Sequence, residues 1–263
     1  MIRRGPGAEE ETGPPTRPVI FYPFGEGEES RVVYEAWDLP AMPETERQNL
    51  SMGEGRSVTV SMPAERAFEP GLNTAVLPDG RIVVADSMGY RLKLVDLQGR
   101  VVRTLERPVA PTPVTDRIRQ QEKDRRLAEL QEGEGPQMVI RMRSSDGGTS
   151  GGEVAPAAVR DMMEKRLESM TFAPVIPVIE DAAVDGEGRI WVQRSSGTPG
   201  EPGPTDVLTA DGRYLGTIPP DGLRIPRAFG PDGLLVRIET DEYDVPTLVV
   251  ERLPAVGGAA TDG

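Results

Sequence analysis

The chain has 263 residues, of which 43 are acidic and 30 are basic, giving a net charge of −13 at pH 7. Such a surface repels phosphate and no run of Lys or Arg offers a local exception, so we predict no nucleic-acid partner. Because the chain has no histidine and no cysteine, it lacks the commonest general base near neutral pH and cannot form a zinc–thiolate site.

The two ends of the chain differ in composition from the rest. Residues 1–17 are acidic and rich in proline, and residues 255–263 are mostly small, so both are predicted to be disordered. Arg3 and Arg4 are followed by Gly, Pro and Glu, whereas a signal peptide needs an apolar stretch there, so no signal peptide is predicted in this chain. No apolar run approaches the ~20 residues that cross a bilayer, and no membrane span is predicted.

Residues 18–113 are predicted to hold one partial sheet and one complete four-stranded unit. Strands are predicted at 18–24, 30–37 and 57–62, and then at 73–77, 81–86, 91–96 and 100–106. Short turns at Asp79-Gly80, 87–89 and Gln98-Gly99 separate the last four strands. Four antiparallel strands in about 35 residues are the content of one propeller blade.

Residues 114–173 interrupt the strands. A charged helix is predicted at 115–131, a flexible Gly/Ser-rich loop at 133–152, and a second helix at 156–170. One face of the second helix carries apolar residues, which we expect to pack onto the sheets rather than to bind a ligand: Ala158, Met162, Met163, Leu167 and Met170.

Strands resume in residues 174–254, which are predicted to form two further blades. The first has strands at 179–184, 189–194, 205–208 and 213–218, with a swollen turn at 195–203. The second has strands at 226–229, 233–239 and 247–253. Its Gly233 follows Gly188 by 45 residues, which matches the ~40–45 residues of one blade.

The segment FEPGLNTAVLPDGRIVVADS at 68–87, continued by YRLKLVD at 90–96, resembles the NHL-type repeat of six-bladed β-propellers. The later GRIWV at 188–192 and LTADGRYLG at 208–216 are similar to the closing blades of bacterial NHL-like or TolB-like propellers. The resemblance implies an all-β fold, an incomplete β-propeller of about three to four blades out of a probable six, with a two-helix insertion between blades. It also implies that the missing blades belong to a larger gene product and that complete relatives are exported to the periplasm or outside the cell.

Acidic residues offer two kinds of candidate site. Seven Asp-Gly pairs (at Asp79, Asp146, Asp185, Asp211, Asp221, Asp232 and Asp262) suit either cations or tight turns, and none has the spacing of a calcium loop. The densest cluster, Glu239, Asp241, Glu242 and Asp244, either collects Ca²⁺ at a rim or forms a solvated hairpin tip. No other cofactor is predicted.

Two residues are candidates for ligand binding. Trp191 either lines a ligand pocket or packs within a blade, where it alternates with Ile190 and Val192. Asn73 is the one residue that matches, by resemblance, the acidic and Asn ligands of gluconolactonase-type propellers.

Three functional hypotheses follow. The first is a non-catalytic propeller module that binds a protein or small-molecule partner through one face and its inserted loops. The second is a metal-dependent hydrolase of the gluconolactonase type. The third is a truncated propeller that has no function of its own.

Overall fold

The computed structural model describes residues 16–23, 25, 29–38, 45–51, 57–63, 65–132, 139–143, 149–153, 156–240 and 245–253. Its strands up to the first helix are β1 (Thr16–Phe21), β2 (Arg31–Asp38), β3 (Thr45–Ser51), β4 (Ser57–Pro63), β5 (Arg66–Ala67), β6 (Asn73–Val76), β7 (Ile82–Ala85), β8 (Arg91–Val95), β9 (Val101–Glu106) and β10 (Thr112–Pro113). Helix α1 (Asp116–Glu132), strands β11 (Val139–Arg143) and β12 (Thr149–Glu153), and helix α2 (Pro156–Glu168) follow. The remaining strands are β13 (Thr171–Phe172), β14 (Val175–Ile176), β15 (Ile179–Val184), β16 (Ile190–Ser195), β17 (Pro202–Leu208), β18 (Tyr214–Ile218), β19 (Ala228–Phe229), β20 (Leu234–Thr240) and β21 (Pro246–Arg252).

Four antiparallel sheets organise the packing of the described strands. The first sheet pairs β1 with β2, the second has the order β6-β7-β8-β9, the third β15-β16-β17-β18, and the fourth β19-β20-β21. β3–β4, β11–β12 and β10–β14 form further antiparallel pairs, and β5 pairs with β13 in parallel. The prediction of a chain dominated by antiparallel strands with two helices is therefore confirmed.

The second sheet is covered on both faces. All four residues of β7 are buried. Val83 belongs to a core that it shares with Ile190 and Val192 of the third sheet. Its neighbour Val84 belongs to a smaller core with Val33 of the first sheet. A strand buried on both faces reads as a continuous apolar run, as Ile82–Ala85 does.

The four sheets follow one another in chain order. The first strands of the second and third sheets lie side by side, and the amide Nδ2 of Asn73 donates to the carbonyl oxygen of Glu180 at 3.1 Å. The third and fourth sheets meet through the rings of Trp191 and Phe229, whose centroids are 5.3 Å apart. Each of these four sheets therefore packs against the next.

In the sequence, the two helices come between the second and third sheets, and in the structure they pack against each other. Of the predicted apolar face of the second helix, Met162 and Met170 are buried and Ala158, Met163 and Leu167 are half-buried, and the neighbouring Val159 is also buried. In α1 the buried Glu122 accepts hydrogen bonds from Arg125 and Arg126. This charge compensation lets a very polar helix lie against the protein.

The secondary structure of three segments differs from the prediction. The segment 133–152 was expected to be a flexible loop, but β11 and β12 pair within it over five residue pairs. β17 begins at Pro202, inside the segment predicted as a swollen turn, and β3 is a strand where only a connection was expected. In each case pairing with a neighbouring strand outweighs a local composition rich in Gly, Pro or polar residues.

Candidate functional site

Four of the six hairpin turns of the second and third sheets share one geometry. In the turn from Leu77 to Arg81, the N–H of Leu77 donates to the carbonyl of Arg81 and the N–H of Gly80 donates to the carbonyl of Leu77. The turns that begin at Asp96, Asp185 and Thr209 repeat both bonds. The fourth residue is always glycine with positive φ, between 78° and 92°, a conformation that residues with a Cβ avoid.

The Asp-Gly pairs occupy two different places in these turns. In Asp79-Gly80 and Asp211-Gly212 the glycine is the residue with positive φ. In Asp185-Gly186 the aspartate opens the turn, and its Oδ1 accepts the N–H groups of Glu187 and Arg189 at 3.0 and 2.9 Å. The carboxylate of Asp185 therefore stabilises its own turn, which is the tight-turn alternative predicted for these pairs. Asp146 and Asp262 lie outside the described residues.

Asp206 is the centre of a buried charge cluster between the second and third sheets. Its carboxylate pairs with Arg107, which follows β9, and lies 3.2 Å from Nε of Arg194 in β16. The guanidinium of Arg107 lies over the ring of Tyr214 at 4.3 Å and over that of Tyr90 at 5.5 Å. Burial, and then the nearby Asp206 carboxylate, raise the pKa of Tyr90 well above its ordinary value. The opposite charges of Arg107 and Asp206 therefore compensate each other at the junction of the two sheets.

A similar pair joins the first and second sheets. Nζ of Lys93 in β8 lies 2.8 Å from Oδ2 of the buried Asp86 and donates to the hydroxyl of Tyr34 in β2, also at 2.8 Å. Burial opposes the charge on Lys93, but these two hydrogen bonds prevail and raise its pKa. Lys93 therefore stays charged and serves as a cross-link between the sheets.

The structure places Trp191 in the packing of the third sheet. Its indole is buried, Nε1 donates to Oδ2 of Asp185 at 2.9 Å, and the ring lies against Phe229. Asn73 uses its amide to bind the backbone of Glu180. Both of these predicted ligand-binding residues therefore make contacts between sheets.

The predicted metal cluster is only partly within the described residues. Glu239 is exposed and its carboxylate lies 2.8 Å from Nη1 of Arg237, while Asp241, Glu242 and Asp244 lie outside the described residues. In the part of the chain that the structure describes, no three acidic side chains are grouped to hold a metal ion.

A cavity of about 930 Å³ lies between the fourth sheet and the loop that precedes it. Its size is within the range of ligand sites, roughly 300–1,000 Å³. Three arginines, two acids and several apolar residues line it: Arg224, Arg227, Arg237, Asp221, Glu251, Pro202, Pro220, Leu223, Ile225 and Ile238. Apart from Asp221, which belongs to one of the Asp-Gly pairs, none of these residues was predicted from the sequence to form a site. The available signal was the loop PPDGLRIPR at 219–227, which carries two arginines and three prolines within nine residues of an acidic chain.

The charges around this cavity are unevenly compensated. Arg237 is held by Glu251, with Nη2 2.6 Å from Oε1. Arg224 has only a longer-range electrostatic interaction with Glu180. Burial raises the pKa of Glu180, and the positive charge of Arg224 partly opposes that rise. Among the described residues, the guanidinium of Arg227 has no hydrogen-bond or carboxylate partner. The loop therefore offers two guanidinium groups to an external anion.

A second groove, of about 470 Å³, lies among the turns of the second and third sheets. Pro78, Glu187 and Asp211 contribute to its walls, and Nη1 of Arg103 donates to the carbonyl of Asp211 at 2.9 Å across it. Its polar groups are those that hold the turns together, so fewer remain for a ligand.

No protein-family model matches this chain, and no curated protein matches it. Neither described helix is long and apolar enough to cross a membrane.

Proposed function

We propose that this chain is part of a β-propeller and acts as a non-catalytic binding module, whose partner occupies the cavity between the fourth sheet and the 219–227 loop. The observation that carries the proposal is the cavity itself, which combines a ligand-sized volume, several apolar side chains and two arginines that have no hydrogen-bonded carboxylate among the described residues.

The arrangement of the sheets supports the propeller part of the proposal. The second and third sheets are both four-stranded meanders with the same first and third turns, and their first strands lie side by side. Radial repetition of such sheets is the architecture of a propeller. The NHL-like residues at 68–96 lie in the second sheet and the turn before it, where such a blade is expected.

The roles of the buried acids support a binding function. Asp86, Asp185 and Asp206 are each engaged by a lysine, an arginine or an indole at a junction between sheets. These contacts hold neighbouring sheets together, so the three acids have structural roles. The solvent-facing arginines of the 219–227 loop have no such structural role, and charged groups without a structural partner are typical of recognition surfaces.

Selection of displayed random dodecapeptides on the purified chain tests this proposal. Enriched peptides are expected to lose at least tenfold in affinity for Ile225→Trp, which fills the cavity, and to bind Val102→Trp normally. Val102 is exposed on β9, away from the cavity, and thermal melting checks that both variants fold. Failure to enrich any peptide, or equal binding to the two variants, would contradict the proposal.

A further inference from the structure

The cavity follows an edge of the fourth sheet that is left without a neighbouring strand. β19 pairs with β20 only at Ala228–Val236 and Phe229–Leu235. Beyond Val236, none of the described strands pairs with β20 on the β19 side. The chain before Ala228 diverges from β20 and forms the 219–227 loop. The gap between this loop and the continuing β20 is the cavity.

The unpaired backbone groups of β20 can be assigned from its pairing. In an antiparallel strand, alternate residues direct both N–H and C=O to the same edge. The carbonyl of Val236 accepts from the N–H of Arg227 at 2.8 Å, so Val236 faces the β19 edge. By alternation Ile238 and Thr240 face that edge too, and both line the cavity. Arg237 and Glu239 face β21 instead.

An unpaired edge of this kind binds extended peptides by strand addition. Main-chain hydrogen bonds provide affinity, and side chains at alternate positions provide specificity. A volume of about 930 Å³ is ample for a short extended segment. A helix or a compact ligand would leave the N–H and C=O groups of Ile238 and Thr240 without partners.

The walls of the cavity indicate the chemistry of the peptide. Leu223, Ile225 and Ile238 favour apolar side chains. Arg224 and Arg227 favour carboxylates, which guanidinium groups bind with two parallel hydrogen bonds. The net charge of −13 disfavours acidic ligands over most of the protein surface. The cavity differs because its three arginines outnumber its two acids, Asp221 and Glu251.

We infer that the partner is an extended peptide with alternating apolar and acidic residues, which pairs through its backbone with Ile238 and Thr240 in line with β19. The inference rests on the function proposed above and adds the conformation and charge of the ligand.

The test uses a fluorescein-labelled, end-blocked heptapeptide of alternating valine and glutamate, and the same peptide with lysine for glutamate. Fluorescence anisotropy is expected to show binding of the glutamate peptide and at least tenfold weaker binding of the lysine peptide. Arg224→Gln and Arg227→Gln are each expected to weaken binding of the glutamate peptide about three- to tenfold. Arg213→Gln, on an exposed turn that does not line the cavity, is the charge control and should bind normally.

Proline substitutions test the strand pairing. Ile238→Pro removes the N–H that faces the cavity and should weaken binding at least tenfold. Leu248 pairs with Ile238, so its own N–H points off the opposite edge of the sheet, and Leu248→Pro is the matched control that should bind normally. In the wild-type protein, bound peptide should slow amide hydrogen exchange at Ile238 and Thr240 at least tenfold and leave Leu248 and Val250 unchanged.

The outcomes separate this inference from the proposed function. Lack of binding of the glutamate peptide to the wild-type chain, or unchanged exchange at Ile238 and Thr240 in the complex, overturns the inference. If selected peptides are sensitive to Ile225→Trp but are basic, or bind without slowing this exchange, the proposed function stands and the inference falls. If no selected peptide is sensitive to Ile225→Trp, the proposed function itself falls.

Discussion

Gly80 and Gly99 occupy equivalent positions in two turns of the second sheet, with φ of 86° and 81°. Their surroundings differ. A Cβ added at Gly80 would meet nothing within 4 Å, whereas one at Gly99 would lie 2.3 Å from the carbonyl oxygen of Val33. Gly99 is therefore required for two reasons, the conformation of its own turn and the close approach of the first sheet.

Alanine at these two positions should separate the two effects. Gly80→Ala is expected to destabilise the protein by about 1–2 kcal/mol, the strain of a left-handed residue with a Cβ. Gly99→Ala should cost roughly 1–3 kcal/mol more, because the first sheet must move. Urea unfolding of both variants measures the difference, and equal free energies of unfolding would show that the first sheet is not packed against this turn.

At the scale of elements, the sheets are joined by buried ion pairs as well as by apolar contacts. Arg107 and Asp206 are separated by 99 residues in the chain and belong to different sheets. Their pair, with Arg194 and the rings of Tyr90 and Tyr214, fixes the second sheet against the third. Apolar packing alone allows two sheets to slide, while a buried hydrogen-bonded pair favours one arrangement.

Asp206→Asn tests this role. The substitution keeps the shape of the side chain but leaves the half-buried guanidinium of Arg107 without its carboxylate partner, so the free energy of unfolding should fall by about 1–3 kcal/mol. Asp96→Asn is the control, because Asp96 pairs with the largely exposed Arg100 within one turn and should matter much less. A loss for Asp206→Asn no larger than that of the control would show that the pair does not hold the sheets together.

At the scale of the whole molecule, the first and fourth sheets both carry large exposed apolar side chains. Ile20, Tyr22 and Val32 are exposed on or next to the first sheet. On the fourth sheet, Phe229 and Leu235 face the third sheet, whereas Leu248 points away from it and is 69% exposed. Strand β7 of the second sheet and the first four residues of β16 in the third are buried on both faces, whereas none of the described residues covers Leu248 on the outer face of the fourth sheet.

Glutamate substitutions on the two faces of the fourth sheet check this asymmetry. Leu248→Glu should change the free energy of unfolding by no more than about 0.5 kcal/mol in urea unfolding. Leu235→Glu should unfold the fourth sheet, because Leu235 is 1% exposed and faces the third sheet. Severe destabilisation by Leu248→Glu would mean that the outer face is covered in the folded protein.

Local patterns predicted the strands of the second and third sheets closely. The predicted 91–96 and 100–106 correspond to Arg91–Val95 and Val101–Glu106, since alternating apolar residues and turn glycines act over a few neighbours. The same patterns left Trp191 undecided between a ligand pocket and packing. Only the position of Phe229, 5.3 Å away on another sheet, decides for packing.

The amino-acid order alone is enough to specify where this chain turns and which short stretches become strands, because glycine at positive φ and period-two alternation are properties of adjacent residues. Which sheets meet, which acids are neutralised and where a cavity opens depend on groups as far apart as Arg107 and Asp206. The cavity beside β20 exists because the 219–227 loop leaves that strand after two residue pairs, and only the packing of the complete chain determines such a divergence.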